Sequence, residues 1–134
     1  GIPDNVMKTL ILDIKFNEKY FERVIHHEVF HIINDSFKDI FNESTWSSFN
    51  LTDFKYAECS TCTDKLNLSL IKNTNGFLTE YSMTTPSEDM AEIYSFIITD
   101  NKLLKNKTDK DTILKNKVSY LKNQLLLIDK SLKF

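Results

Sequence analysis

The stretch RVIHHEVFHII, residues 23–33, contains all three histidines of the chain. Two of them, His27 and His31, bracket the glutamate of the sequence HEVFH. Residues four apart on a helix lie on the same face one turn apart, so both imidazoles can converge on a single ion. Zinc binds neutral imidazole nitrogen, so this spacing supplies two zinc ligands. Glu28 would stand beside such an ion, where its carboxylate can take a proton from water.

The alternative is an ordinary helix in which His27 and His31 are half-buried and hydrogen-bonded while Glu28 faces solvent. The apolar residues on both sides of the motif suit a buried helix that carries a site, and they favour the zinc interpretation. His26 points away from the shared face, so we expect it to be structural or to support the site indirectly.

The chain before the motif is apolar and β-branched over residues 7–16, MKTLILDIKF, which predicts a strand. Asn17 is expected to cap a helix that continues to about Ile33. The stretch from there to Tyr56 is polar but rich in aromatic residues, and we expect short helical turns and loops anchored by those rings. Residues 58–76 are expected to be irregular, with LNLSLI at 66–71 forming a helical turn or a strand.

The chain after residue 84 shows two further helical patterns. Thr85 is a suitable N-cap and Pro86 suits the first helical position, which predicts a helix that ends near Asp100. A last helix is expected from Asp111 to Leu132, because its apolar residues step by four and three positions. We expect this apolar seam to pack on the domain itself.

Length and composition favour one soluble-type globular domain over residues 1–134, with 41% hydrophobic residues. The net charge is −2, and Arg23 is the single arginine, so nucleic-acid binding is not expected. No apolar run reaches the length of a membrane span.

Two cysteines lie close together as Cys59-Ser60-Thr61-Cys62. A closed structural zinc site needs a second cysteine pair, which the sequence lacks. A tight local disulfide and two free thiols in a loop are the two interpretations that remain.

A catalytic zinc needs a third protein ligand and an open position for water. In the class with the longer motif HExxHxxGxxH this ligand is a nearby histidine, but Asn34 occupies the glycine position here and Phe37 the last histidine position. That class is excluded, and the third ligand is expected to be a downstream carboxylate or cysteine.

Glu88 and Glu92 are the best carboxylate candidates, because they lie four apart at the start of the second predicted helix. One can bind the metal while the other orients a ligand histidine from behind. Glu88 could instead close a capping box with Thr85, in which case Glu92 would be the ligand. Tyr81 could donate a hydrogen bond to the oxyanion that forms during amide hydrolysis, or it could be a plain aromatic anchor.

HEVFH followed downstream by Tyr81 and by EDMAE at residues 88–92 resembles the gluzincin metallopeptidases. The pattern is most similar to the anthrax lethal factor catalytic domain and to related bacterial zinc-binding metallopeptidases. The resemblance implies that zinc is bound by His27, His31 and Glu88. It also implies that Glu28 is the general base, that Tyr81 donates to the oxyanion and that Glu92 supports a ligand from behind.

The resemblance further implies a compact, mostly helical α+β domain of zincin type, with a small N-terminal β-sheet as the floor of a substrate cleft. We therefore expect a zinc-dependent metallopeptidase that acts on a protein or peptide. A secreted or cell-surface location fits the resemblance and the Asn-X-Ser/Thr sequons, among them those that begin at Asn42, Asn50, Asn67 and Asn106. The alternative is a catalytically inactive zinc-binding or protein-interaction domain with the same fold.

Overall fold

The computed structural model describes residues 2–4, 6–12, 18–73 and 75–134. Most of its regular structure is helical, as the sequence predicts. The elements follow one another as β1 (Ile2–Asp4), β2 (Thr9–Ile11), α1 (Glu18–Ser36), α2 (Glu43–Ser47), a 3-10 turn (Tyr81–Met83), α3 (Pro86–Thr99), α4 (Asn101–Thr108) and α5 (Thr112–Ile128).

The N-terminal sheet is a short hairpin in which β1 pairs antiparallel with β2. The strand predicted over residues 7–16 is wrong at its start, because Met7 and Lys8 belong to the connecting turn. Asp4 holds this turn by accepting a hydrogen bond from the Met7 amide at 2.9 Å, and Lys8 has a φ of 52°. Residues 13–16 and the predicted cap Asn17 lie outside the described residues.

The α1 and α3 helices make the most extensive helix–helix contact in the described part of the chain. Helix α1 ends at Ser36, almost one turn beyond the predicted Ile33. Helix α3 begins as predicted, because Thr85 is extended at the N-cap and Pro86 occupies the first turn. The site is therefore expected where these two helices face each other.

Helix α4 was not predicted, because its sequence NKLLKNKT is polar and too short to show a clear apolar period. Asp100 ends α3 as expected, but its side chain also caps α4 by accepting from the Leu103 amide at 3.0 Å. Helix α5 begins after its N-cap Asp111 and ends at Ile128 rather than at the predicted Leu132.

The apolar seam of α5 packs on the domain, which confirms the prediction. The core also takes in Phe41, from the segment between α1 and α2, and Trp46 of α2, which is fully buried. Phe37 is 42% exposed and is not an anchor. The core cluster consists of Phe30, Phe41, Trp46, Leu78, Met90, Ala91, Ile93, Phe96, Ile97, Leu104, Leu114, Val118, Leu121 and Leu125.

The segment between α2 and the 3-10 turn contains no helix in its described residues. Leu70 forms an isolated antiparallel bridge with Thr79, so LNLSLI is extended at its end rather than helical. Cys59 and Cys62 form a disulfide, which decides between the two interpretations of the cysteine pair. None of the described helices is long and apolar enough to cross a bilayer.

Candidate metal centre

His27 and His31 project from one face of α1 toward α3. Their Nε2 atoms lie 3.2 Å apart, as expected of residues one helical turn apart whose rings turn toward a common point. The side chain of His27 is 8% exposed and that of His31 is 17% exposed. His26 is half-buried and takes no part in the metal-binding cluster of the described residues.

Glu88 reaches this point from the first turn of α3. Its Oε2 atom lies 2.8 Å from His27 Nε2 and 3.2 Å from His31 Nε2. Thr85 caps the helix by accepting a hydrogen bond from the Glu88 amide at 3.2 Å. The Glu88 backbone thus takes part in the cap while its carboxylate extends to the histidines.

Glu92 lies one turn farther along α3 and contacts the opposite nitrogen of His27. Its Oε1 atom is 3.0 Å from His27 Nδ1. The other carboxylate oxygen accepts hydrogen bonds from Arg23 at 2.7 Å and from the Thr79 hydroxyl at 2.9 Å. An ionised Glu92 favours the tautomer in which His27 Nδ1 carries the hydrogen, and this leaves the Nε2 lone pair directed at Glu88.

The ring of His31 is held in a similar way, but by an uncharged hydroxyl rather than by a carboxylate. The hydroxyl of Ser87 lies 3.3 Å from His31 Nδ1, and Asn34 donates to the same hydroxyl at 3.4 Å. Ser87 can therefore accept a hydrogen from Nδ1, which leaves the Nε2 atom of His31 free to face the cluster.

The charges in this cluster shift the pKa values of its members strongly. Burial lowers the pKa of His27, but the hydrogen bonds and charges of Glu88 and Glu92 outweigh it and raise that pKa to about 9. Burial raises the pKa of Glu88, yet the hydrogen bonds with His27 and His31 hold it well below its usual range. Without a metal ion, a proton on His27 therefore balances the carboxylates.

The three converging atoms fit a zinc ion. Zinc bonds to nitrogen and oxygen ligands are roughly 2.0–2.1 Å long, so neighbouring ligands at a tetrahedral ion lie about 3.3 Å apart. The observed separations of 2.8 to 3.2 Å are close to that value. When both imidazoles are neutral, the tautomers favoured by Glu92 and Ser87 direct two nitrogen lone pairs at the Glu88 carboxylate, so a zinc ion can take the place of the proton on His27. The cysteines are joined to each other and offer no thiolate ligand.

A cavity of about 670 Å³ opens over the cluster. Its lining residues come from α1, the segment between α1 and α2, the start of α2, the 3-10 turn and α3, and include Glu28 and Tyr81. The expectation that the N-terminal sheet forms the floor of the cleft is wrong for the described residues, because none of the lining residues belongs to β1 or β2.

Tyr81 begins the 3-10 turn and is half-buried beside the cluster. Its ring centroid lies 5.8 Å from that of His27. Burial raises the pKa of its hydroxyl above the usual value, and the Glu88 carboxylate raises it further. The phenol therefore keeps its hydrogen near neutral pH and can act as a hydrogen-bond donor toward the cleft.

Asp89 is adjacent to Glu88 but faces the opposite side of α3. Its Oδ2 atom accepts hydrogen bonds from Trp46 Nε1 at 2.8 Å, from the Tyr56 hydroxyl at 2.6 Å and from Lys117 at 2.7 Å. Both Asp89 and Lys117 are fully buried. Asp89 therefore serves the interior of the domain rather than the cleft.

Sequence reasoning missed the supports of the cluster, which are Arg23, Thr79, Ser87 and Asn34. Arg23 also donates to the Leu68 carbonyl at 3.0 Å, and its guanidinium lies 4.1 Å from the centre of the Phe96 ring. One signal was present in the sequence, since Arg23 precedes His27 by one helical turn and is the single arginine.

Comparison with known proteins gives one match. The model of a family described as "Putative zinc-binding metallo-peptidase" matches residues 5–125. No curated protein and no solved structure matches the chain.

Proposed function

Because the chain belongs to this family of zinc-binding metallopeptidases, we propose that it hydrolyses peptide bonds at the cluster of His27, His31 and Glu88, with Glu28 as general base. The cofactor of the family is zinc, and the substrate is a protein or a peptide. The observation that carries the proposal is the convergence of two imidazole nitrogens and one carboxylate oxygen at the base of a cleft that Glu28 also lines.

His27, His31 and Glu88 would hold the zinc ion, and Glu92 and Ser87 would fix the orientation of the two imidazole rings. When bound, zinc supplies Lewis acidity, which polarises a carbonyl group and makes water acidic enough to ionise near neutral pH. The chain itself provides the geometry and the proton transfers.

Glu28 would take a proton from the attacking water and later return it to the leaving amine. Tyr81 would donate its hydrogen to the carbonyl oxygen as negative charge develops there. Both residues line the same cavity, and both Glu88 and Glu28 act electrostatically on the Tyr81 hydroxyl.

Replacing Glu28 by Gln tests the general base. We expect zinc content to stay at the wild-type level while kcat on a mixed peptide library falls about a hundredfold or more, because the amide cannot accept the proton. Glu43→Gln is the matched control, since Glu43 lines the same cavity and has no proposed role. Cleavage by Glu28→Gln at the wild-type rate would refute the assignment. Bound zinc without chelator-sensitive cleavage in the wild type would favour an inactive binding domain.

Replacing Glu88 by Ala tests the third ligand. Zinc content, measured by mass spectrometry after dialysis, should fall strongly, because two imidazoles alone bind zinc weakly. Glu22→Ala on the exposed surface of α1 is the control. Unchanged zinc content in Glu88→Ala would move the third ligand to another group, with Glu92 as the next candidate.

The ligand set and the pairing of α1 with α3 also support a gluzincin-type centre in a zincin-like domain of the kind found in anthrax lethal factor. X-ray absorption of the zinc-loaded protein should report nitrogen and oxygen neighbours at roughly 2.0–2.1 Å. A sulfur neighbour at about 2.3 Å would contradict this ligand set.

We also propose that the protein works outside the cytoplasm, as a secreted or cell-surface domain. The Cys59–Cys62 disulfide supports this location, because disulfides persist mainly in oxidising compartments. Protein purified without reductant should show no free thiol, and two reactive thiols per chain would count against the proposal.

A further inference from the structure

We propose that Arg23 is a positioning residue that holds two parts of the active site at once. One part is the Glu92–His27 pair behind the proposed zinc ion, and the other is the cavity wall to which Leu66 and Leu68 belong. The inference rests on the proposed function and deepens it, because it links the position of a metal ligand to the position of a surface that the substrate would contact.

Arg23 lies one turn before His27 on α1, and its guanidinium contacts α3. Its Nη2 atom donates a hydrogen bond to Glu92 Oε2 at 2.7 Å, and the other oxygen of that carboxylate lies 3.0 Å from His27 Nδ1. The side chains of Arg23 and Glu92 are 13% and 3% exposed. Water screens such a buried ion pair little, so Arg23 fixes the carboxylate that orients the His27 ring.

The same guanidinium also holds the segment of residues 66–69. Its Nη1 atom donates a hydrogen bond to the Leu68 carbonyl at 3.0 Å. The carbonyl of the preceding residue, Asn67, accepts a hydrogen bond from the Tyr81 amide at 3.3 Å. The segment is therefore attached both to α1, through Arg23, and to the 3-10 turn.

Leu66 and Leu68 line a cavity of about 240 Å³. This cavity adjoins the large cleft over the cluster, because His27, Glu28 and Tyr81 line both of them. A peptide whose scissile bond lies at Glu28 would therefore also contact this wall. A shift of the wall would change the binding of the substrate even where the proposed zinc ligands stay in place.

The shape of the guanidinium allows one side chain to hold both parts. Its two terminal nitrogens are fixed in one plane, so bonds to the Glu92 carboxylate and the Leu68 carbonyl fix the distance between these two groups. The guanidinium is itself held by Phe96, because Arg23 Cζ lies 4.1 Å from the centre of that ring. Phe96 follows Glu92 by one turn of α3 and is 3% exposed. A lysine at this position would supply the charge but not the two fixed donors.

Chelator competition and steady-state kinetics on one peptide that the wild type cleaves test the two contacts separately. Arg23→Gln should weaken zinc binding about three- to tenfold and raise KM by a similar factor, because both hydrogen bonds of the guanidinium are lost. Arg23→Lys should recover most of the zinc affinity but not the KM, because the ammonium bonds preferentially to the charged carboxylate.

A double-mutant cycle with Glu92→Gln separates the two routes. In that background, Arg23→Gln should have at most a small further effect on zinc affinity, since the charged acceptor is gone, but it should still raise KM. Tyr20→Phe is the matched control on α1, because it removes a hydroxyl that lies 2.9 Å from Ser69 Oγ in the same segment. Tyr20→Phe should leave zinc affinity unchanged.

A third readout does not depend on activity. Hydrogen exchange of the metal-free protein can be followed by mass spectrometry of a peptide that covers residues 66–69. Exchange in this peptide should be faster in Arg23→Gln and in Arg23→Lys than in the wild type, because the segment has lost its bond to α1. Peptides from α5 should exchange at the wild-type rate in both variants.

Failure of this inference is distinguishable from failure of the proposed function. A wild-type protein that binds zinc but cleaves no peptide would contradict the proposed function, and zinc affinity and hydrogen exchange would still measure both contacts of Arg23. A folded Arg23→Gln variant with the zinc affinity and KM of the wild type would overturn the inference. If Arg23→Gln does not fold, Arg23→Lys decides, because wild-type KM and exchange in that variant would overturn the link to the cavity wall. A full loss of zinc affinity from Arg23→Gln in the Glu92→Gln background would overturn the route through Glu92.

Discussion

His27 is the residue on which the centre depends, because each of its two ring nitrogens faces a different glutamate. Nδ1 faces Glu92 and Nε2 faces Glu88. Glu92 is in turn held by Arg23 and Thr79, so the direction of the ring is set by groups that the metal would not touch. In the absence of zinc, the same two glutamates hold a proton on the ring.

The raised pKa of His27 predicts opposite pH dependences for zinc binding and for the stability of the metal-free fold. Zinc binding requires the neutral ring, so affinity should fall by up to about tenfold for each pH unit below a pKa of about 9. In the metal-free protein, the raised pKa stabilises the fold fully below the ordinary value of 6.5, and this contribution is lost as the pH rises through about 9.

Chelator competition and urea unfolding between pH 6 and 9.5 measure these two quantities on one sample. Glu92→Gln removes one of the two carboxylates that raise the pKa of His27, and it should flatten the dependence of metal-free stability on pH. Zinc affinity that is constant over this range would contradict the protonated state of His27 in the metal-free protein.

At this scale the sequence predicted the cluster and a supporting role for Glu92, but not the other groups around it, which are Arg23, Thr79, Ser87 and Asn34. The spacing of HEVFH placed His27 and His31 on one face, and a resemblance selected Glu88 over Glu92. The structure brings the ligand atoms of these residues together, while their roles stay predictions. Thr79 and Ser87 could not be found, because side-chain contacts between distant segments leave no periodic signal in the sequence.

Among the elements, α3 determines the position of Glu88, the proposed third ligand. Its N-cap Thr85 bonds the amide of Glu88, so the cap and the proposed ligand share one residue. Cap residues fix the first turn of a helix, and the first turn of α3 carries the carboxylate that faces α1. The cap is thus both a source of stability and a determinant of site geometry.

Thr85→Ala should lower the free energy of unfolding by about 1 kcal/mol and should also weaken zinc binding several-fold, because the first turn of α3 is less well fixed. Thr85→Ser retains the hydroxyl and is the control for both quantities. Unfolding in urea and chelator competition provide the measurements. A loss of stability with unchanged zinc affinity would show that the position of Glu88 is fixed by tertiary packing instead.

The helices that the sequence predicted share strong local signals. Helix α3 has Thr85 and Pro86 at its start, and α5 has an unbroken apolar seam. Helix α4 was missed because its two apolar residues, Leu103 and Leu104, are adjacent and show no helical period, and its start depends on Asp100, which ends one helix and caps the next. The end of α5 was placed too late, because Leu132 continues the spacing after the helix has ended.

In the whole molecule, the buried ion pair between Asp89 and Lys117 joins α3, which carries Glu88, to α5. Lys117 comes from α5 and also donates to the Gly76 carbonyl at 2.9 Å. Its ammonium lies 3.8 Å from the centre of the Phe77 ring. Burial raises the pKa of Asp89 and lowers that of Lys117, while the charge and hydrogen bond that each group offers the other oppose both shifts, so the charged form of each depends on its partner.

Lys117→Met should destabilise the domain by about 3–5 kcal/mol, because it leaves a buried carboxylate without its cation. Lys115→Met, at an exposed position of the same helix, is the matched control. The double variant Asp89→Asn/Lys117→Met should be less destabilised than Lys117→Met alone, since no net charge is left buried. Urea unfolding of the metal-free proteins measures all three, and a loss below about 1 kcal/mol in Lys117→Met would contradict the importance of the pair.

From one helix, Glu88 and Glu92 direct their carboxylates to the two ring nitrogens of His27, whereas Asp89 directs its carboxylate to Lys117 in the interior. Each residue of a helix turns the chain by about 100°, so inserting or deleting one residue after Pro86 would rotate Glu88 into the interior or Asp89 into the cleft. Relatives that keep the chemistry should therefore tolerate length variation in the loop before residue 77 but none between Thr85 and Glu92. We expect a relative with an insertion or deletion in that short interval to lack peptidase activity.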